Sequence, residues 1–342
     1  LKSIGDRYLQ IMRLSGSFGL IMVIGIFLCS SCEKRELPIP LPPQGSAQIA
    51  QVVMGPDYDD QIFFDLETGQ PVLKNYINAW DLAFEAQPDG KHVFMNDGKN
   101  VFVYNTHQTD PAAVSFNAAE LVSSMQWGFD SPTGLPDSSY IGEWKDSYGL
   151  SKNEVYIVKI AADTFKKMVI AGDNDTAYIL KYGDINSTVL NTISIPKNSL
   201  YNYTYFSFAN GGTVVPMEPP KDSWDIVFTR YRYVYYDLNN FTYPVTGVLL
   251  NPYNTTALAD SLTSFDAITF NSLNLTAFSS ARDVIGFDWK TYDFNTGRYI
   301  THPNKCYVVK TRKDQYYRIH FMNFYDANGY KGSPSFEYER IH

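Results

Sequence analysis

The chain repeats itself, and this restricts its fold more than any single motif does. Residues 63–72 read FFDLETGQPV and residues 205–214 read YFSFANGGTV. NAWDLAF, ending at Phe84, is answered by DSWDIVF, ending at Phe228. IGEWK (141–145) is answered by IGFDWK (285–290), and NEVYIVK (153–159) by NKCYVVK (304–310). Trp80 thus corresponds to Trp224, Asp81 to Asp225 and Trp144 to Trp289. Four blocks kept in order at similar spacing predict two tandem copies, at 48–190 and 198–342.

Each block reads as β-structure. The chain holds 26 Tyr and 22 Phe, and these strand formers alternate with Val and Thr. In WDIVF, alternation puts Trp224, Ile226 and Phe228 on one face and Asp225 on the other. CYVVKTRKDQYYRIHF predicts a hairpin: a strand at 306–311, a polar turn, and a strand at 316–321 with Tyr317, Ile319 and Phe321 on one face. VYIVKIAADTFKKMVI repeats that plan in the first copy, and KHVFMNDGKNVFVYNTH (91–107) suggests another hairpin. Short helices are expected at 118–126 and 256–262. The fold class is mainly β: two all-β modules with short helices.

A processing signal precedes them. Lys2, Arg7 and Arg13 make a basic start, and FGLIMVIGIFL (18–28) is apolar. Eleven helical residues rise about 16 Å, too little for a hydrocarbon core of about 30 Å. The run ends at Cys29-Ser30-Ser31-Cys32, which resembles the lipobox of bacterial lipoproteins in the looser form common among Bacteroidetes. Residues 1–31 are therefore expected to be a lipoprotein signal peptide and Cys32 the lipidated residue. EKRELPIPLPPQGS, within residues 32–47, is expected to be a charged, proline-rich tether. Charges directly after the cysteine resemble surface-export signals, so a lipid-anchored outer-membrane location facing outward is expected.

Removing the signal, with its three basic residues and one acid, takes the net charge from −8 to about −10. An acidic chain without a Lys/Arg tract is a poor binder of nucleic acid. Cys306, the one cysteine besides Cys29 and Cys32, sits mid-strand and reads as packed and inert. There is no HExxH, phosphate-binding loop or dinucleotide fingerprint, so an enzyme is not expected. Asp81 and Asp225 read as hydrogen-bonding strand residues. Asp57, Asp59 and Asp60 lack the glycine and distal glutamate of an EF-hand loop.

The second copy resembles the HmuY-like family of Bacteroidetes lipoproteins. The resemblance lies in YFSF-x-x-G-x-x-V (205–214), WDI-x-F-x-R-Y (224–231), W-K-x-Y (289–292), P-N-K-x-Y-V-V-K-T (303–311) and a closing SFEYERI after Gly332. The first copy carries it more faintly. The resemblance implies an all-β haem-binding haemophore that hands haem to a TonB-dependent outer-membrane receptor in iron acquisition. Its haem ligands, His or Met, would lie at 232–303, where this chain has no Met and a single histidine, His302. Arg298 or Phe294 stands near the place where the family often has its histidine. The candidate haem-binding residues are therefore Tyr292, since a tyrosine oxygen can bind ferric haem, His302 and Met217. Tyr231, Tyr233, Tyr235 and Tyr236 supply further phenols, or cross-strand packing. His320, His92, His107 and Met95 read as structural. The alternative is a surface module for a glycan or a transporter-partner protein that has lost the iron ligands.

Overall fold

The structure, a computed structural model, describes residues 47–342 apart from Met125. The expected signal peptide, Cys32 and the tether up to residue 46 lie outside the described residues. Among the described residues no helix is long and apolar enough to cross a membrane.

The strands form antiparallel sheets packed in two sandwiches. In one, a four-stranded sheet of β2 (Asp60–Asp65), β3 (Gln70–Tyr76), β13 (Ile226–Tyr235) and β14 (Phe241–Leu250) has the order β14-β13-β2-β3. It faces a five-stranded sheet of β1 (Gln48–Gln51), β15 (Thr256–Asp260), β18 (Cys306–Lys310), β19 (Tyr316–Tyr325) and β20 (Lys331–Arg340), ordered β1-β20-β19-β18-β15. Phe64, Ile226, Phe228 and Leu250 pack there against Tyr307, Ile319, Phe321 and Phe336, with Trp289 stacked on Phe321 at 4.1 Å. In the other, β4 (Leu82–Glu85), β5 (Val93–Met95), β11 (Tyr203–Ser207) and β12 (Thr213–Val215) form the order β12-β11-β4-β5. They face β6 (Phe102–Asn105), β7 (Tyr156–Ala161), β8 (Thr164–Asp173), β9 (Ala177–Asp184) and β10 (Asn191–Pro196), ordered β10-β9-β8-β7-β6. Phe84, Met95 and Phe206 pack there on Trp144, Val158, Met168 and Tyr178. A separate hairpin joins β16 (Lys290–Asp293) to β17 (Arg298–Thr301).

The sandwiches do not follow the sequence halves. The β2–β3 hairpin precedes Trp80, yet β2 pairs with β13, which follows Trp224, with Phe64 opposite Ile226. The β11–β12 hairpin precedes Trp224, yet β11 pairs with β4, which follows Trp80, with Phe206 opposite Leu82. Each sandwich is closed by a hairpin from the other half of the chain. The two aspartates fasten these junctions. Asp81 Oδ2 accepts from the Phe208 amide at 2.7 Å, and Asp225 Oδ2 from the Leu66 amide at 2.9 Å. Two buried asparagines repeat a second contact: Asn96 donates its amide to the Trp80 carbonyl at 2.9 Å and Asn251 to that of Trp224 at 2.6 Å.

Burial pushes the Asp225 carboxyl up to about 7. Asp225→Ala is therefore expected to lower stability by about 1–3 kcal/mol, the cost of a buried donor left unpaired. Asp225→Asn keeps an accepting oxygen and is expected to cost much less. Denaturant unfolding of the two variants checks this, and equal losses would count against the hydrogen bond as the fastener.

Each five-stranded sheet has its outer face covered by a long connection pinned by one basic residue. Lys167 Nζ donates to the carbonyls of Pro111 and Val114 at 2.6 and 2.8 Å. Arg318 Nη1 donates to those of Phe265 and Ile268 at 2.6 and 3.0 Å.

Several local expectations change. The helix expected at 118–126 is a short α1 (Phe116–Glu120). That expected at 256–262 is instead strand β15, because Ala257 and its neighbours pair along β18 and this overrides the helix preference of alanine and leucine. The hairpin expected at 91–107 is a crossover: β5 pairs with β4 and β6 with β7, in different sheets. Trp224 does not share a face with Ile226 and Phe228. The strand begins at Ile226, and Trp224 packs edge-on against Phe63, 4.8 Å away on the opposite face. The hairpin of β18 and β19 is as expected, with Tyr317, Ile319 and Phe321 in the core.

Candidate functional site

β2 pairs with β13 only along Ile226–Phe228, so from Thr229 onward β13 has only β14 beside it in its sheet. This free end of the ribbon turns at Tyr236–Leu238, where Asn239 and Asn240 take positive φ angles of 56° and 58°, which asparagine tolerates better than most residues. The ribbon forms one wall of a groove of about 1280 Å³. The β16–β17 hairpin, the loop at 56–58 and the turn at 325–331 form the others, with Asn78 and Gly98–Asn100 from the sequence's first half at one end.

Tyrosine dominates the lining. Tyr58, Tyr235, Tyr299 and Tyr325 are half-buried, while Tyr243, Tyr292 and Tyr330 are more exposed. The rings brace one another: Tyr292 lies 5.1 Å from Tyr299 and from Phe294, and Tyr299 lies 4.9 Å from Phe324. Burial pushes the Tyr58 and Tyr299 phenols above their ordinary range, so both stay protonated donors near neutrality. Phe294, 90% exposed, stands at the tip of the β16–β17 hairpin.

Five cations share this surface, and they differ in partners. Arg230 is held by Asp59 at 3.0 Å and Asn78 at 2.9 Å, and Lys99 by Asp81 at 2.6 Å. Among the described residues, Lys290, Arg298 and Lys331 have no carboxylate partner and lie over aromatic rings instead. Arg298 is 4.7 Å from the Tyr325 centroid and Lys331 4.9 Å from that of Tyr58. Lys290 lies 4.3 Å from the Trp289 centroid and donates to the Thr246 carbonyl at 2.5 Å. Burial lowers its amine to about 7.

Of the residues nominated from sequence, Tyr292 lines the groove at 40% exposure, and Phe294, Arg298 and Tyr235 line it too. His302 lies just beyond β17, its Nε2 2.8 Å from Thr291 Oγ1, and is not part of the lining. Met217 is 3% exposed and packs among Trp80, Phe94, Tyr203 and Tyr205, so it does not reach the groove. Tyr231 is buried beside Phe63 and Trp224, Tyr233 packs edge-on against Phe287, and Tyr236 lies on the hairpin turn. His320 packs on Phe265, His92 bonds Glu85 at 2.8 Å, His107 bonds Glu154 at 2.9 Å, and Met95 is in the core. Asp59 and Asp60 are engaged by Arg230 and Lys74. Cys306 is buried, and burial pushes its thiol up to about 11. The lining contains no histidine, methionine or cysteine.

Sequence reasoning missed Tyr58, from the loop before β2, and Tyr325, Tyr330 and Lys331, from the turn between β19 and β20. Lys290 stood inside the W-K-x-Y block, but only the structure shows that Asp288, two residues before it, is taken by Lys305 and Tyr307.

Behind the groove, Arg230 and Gly98 also line a smaller cavity of about 80 Å³ that reaches Asp97 and Asp130. Arg232, fully buried on β13, pairs there with Asp97, donates to the Val101 carbonyl at 2.9 Å and stacks on Phe102 at 4.0 Å.

No curated protein matches the chain. Among solved structures, apo PinO from Porphyromonas gingivitis is 12% identical with a TM-score of 0.33, covering 87% of this chain and 99% of its own. The apo HmuY analogue of Tannerella forsythia is 12% identical at a TM-score of 0.26, over 89% and 100%. A Bacteroides vulgatus protein described as HmuY-like and heme-binding is 16% identical at 0.24, over 52% and 92%. The family model described as HmuY protein matches residues 199–338, a stretch that includes both hairpins of the groove. Over residues 199–338 this chain is similar to the HmuY family.

Proposed function

We propose that this protein is a surface lipoprotein, anchored through Cys32 to the outer membrane, that binds haem in the tyrosine-lined groove and passes it to a TonB-dependent receptor. The observation that carries this reading is the family match over the segment that builds the groove. The groove also suits the cargo. Its aromatic walls suit a flat macrocycle, and three cations without acid partners suit propionates. Of the nominated residues, Tyr292 is the one at the groove surface, and its phenol is the candidate iron contact.

The chain is, in the same reading, two copies of one module that have traded their first hairpins. The matched bonds of Asp81 and Asp225, and of Asn96 and Asn251, support this. The second copy is the binding one, because its β13–β14 ribbon runs ten residues per strand where the corresponding β4 and β5 have four and three.

Titration with ferric haem is expected to give a saturable Soret shift at micromolar concentrations, altered by Tyr292→Phe and unchanged by Met217→Leu. No saturable shift would overturn the haem reading. The lack of His and Met in the lining favours a second reading, a glycan stacked on the tyrosines. Glycan-array binding without a haem shift would establish that instead.

A further inference from the structure

We infer that the groove holds its cargo chiefly through the cargo's carboxylates and ring face, with no bond to metal required, so that it takes acidic planar macrocycles with or without iron. This rests on the reading of the groove as the binding site.

The first support is a comparison within the chain. Lys145 and Lys290 each follow the tryptophan of a matched block, and each ammonium lies on that ring, at 4.9 and 4.3 Å. Lys145 has a counter-ion, Asp173, at 2.5 Å. Lys290 has none. The neighbouring Asp288 is taken by Lys305 and Tyr307, and Lys290 makes a single hydrogen bond, to the Thr246 carbonyl. An ammonium carries three donors, and this one is 5% exposed. A buried charge short of partners is costly. A carboxylate arriving from the groove supplies what Asp173 supplies in the other half.

The second support is that Lys290 is not alone. Arg298 and Lys331 line the same groove, each spread over a tyrosine and each without an acid partner. They do so in a chain of net charge −8, where acids are plentiful. Three basic side chains lining one groove without counter-ions form a site for a ligand with more than one carboxylate, and the aromatic backing of Arg298 and Lys331 leaves their outer faces free.

The third support is the poverty of the lining in strong iron ligands: no histidine, methionine or cysteine. Burial pushes the phenols of Tyr58 and Tyr299 up, which disfavours the phenolate that would bind iron. Stacked tyrosines grip a macrocycle by its face whether or not a metal sits at its centre.

The test compares three ligands on the mature protein by tryptophan fluorescence quenching: ferric haem, metal-free protoporphyrin IX and the porphyrin's dimethyl ester. Protoporphyrin IX is expected to bind within about tenfold of haem. The ester is expected to bind weaker by about tenfold or more for each carboxylate masked. The surface double variant Arg298→Glu/Lys331→Glu is expected to weaken haem and protoporphyrin alike. Haem binding without protoporphyrin binding overturns this inference and leaves the haem reading standing. An ester that binds as well as the free acid overturns the carboxylate part. No saturable binding of any of the three overturns both.

Discussion

Residues 198–342, produced alone, are expected not to fold, although they hold the whole of the family match. The segment lacks β1, β2 and β3, which complete the very sandwich it would have to form. With them go Val52, Met54, Ile62, Phe63, Phe64 and Leu66, each almost wholly buried. At about 1.5–3 kcal/mol per buried side chain, the loss is about 10 kcal/mol or more, comparable to the whole stability of a domain. The remaining β11–β12 hairpin would also lack β4, its partner in the other sandwich. The isolated segment is expected to show no cooperative thermal transition. Co-expression with residues 47–197 is expected to restore a non-covalent complex, because the cut falls in the exposed link between β10 and β11. A cooperative transition in the isolated segment would falsify the exchange of hairpins.

Arg232→Met is expected to be the most damaging single substitution near the groove. The guanidinium is fully buried and joins β13 to the loop at 97–101 through Asp97 and the Val101 carbonyl. Removing one partner of a buried pair strands the other, at about 3–5 kcal/mol, which lowers the melting temperature by on the order of 10 °C in a protein of this size. The defect should depend on pH. Burial already pushes Asp97 up to about 6 against the pull of Arg232, and Asp130, buried beside it, up to about 8. Without Arg232 the Asp97 carboxyl rises further. A carboxyl raised in the folded state takes up its proton more readily there than in the unfolded chain, so stability falls as pH climbs from about 4 through the folded value. The deficit relative to wild type is therefore expected to be largest at neutral pH and above, and to shrink toward pH 5. Arg232→Met with Asp97→Asn removes both charges and should recover most of the loss. Calorimetry across pH checks each of these, and a pH-independent deficit would reject the stranded carboxylate as its cause.

The strands, and the residues that matter inside them, were legible because alternation is local. Tyr317, Ile319 and Phe321 could be assigned to the core from spacing alone, and the matched tryptophans marked equivalent places. Pairing between strands was not legible. The hairpin before Trp80 and the hairpin before Trp224 share a strand–Gly–strand pattern, and alternation within each does not say which sandwich it completes. The same limit hid the site. Tyr58, Tyr299 and Tyr325 become neighbours only after strands from both ends of the chain are assembled. Met217 was misleading for a related reason: its place before a proline-rich stretch looks like a loop, yet Trp80 and Tyr205, brought from either side of the exchange, enclose it. The 256–262 segment was read by propensity when its pairing with β18 decided it.

The exchange also sets the order in which the molecule can be completed as the chain is made, N-terminus first. β2 and β3 come out early, but β13, which must receive them, follows about 150 residues later. β1 waits longer still, since Gln48 ends up opposite Tyr338, 290 positions away. Contacts of such long range make folding slow, and they leave an apolar hairpin without cover in the meantime. Folding of this chain should therefore depend on whatever shields unpaired strands in the meantime, to a degree that folding of a protein with two self-contained modules in series would not.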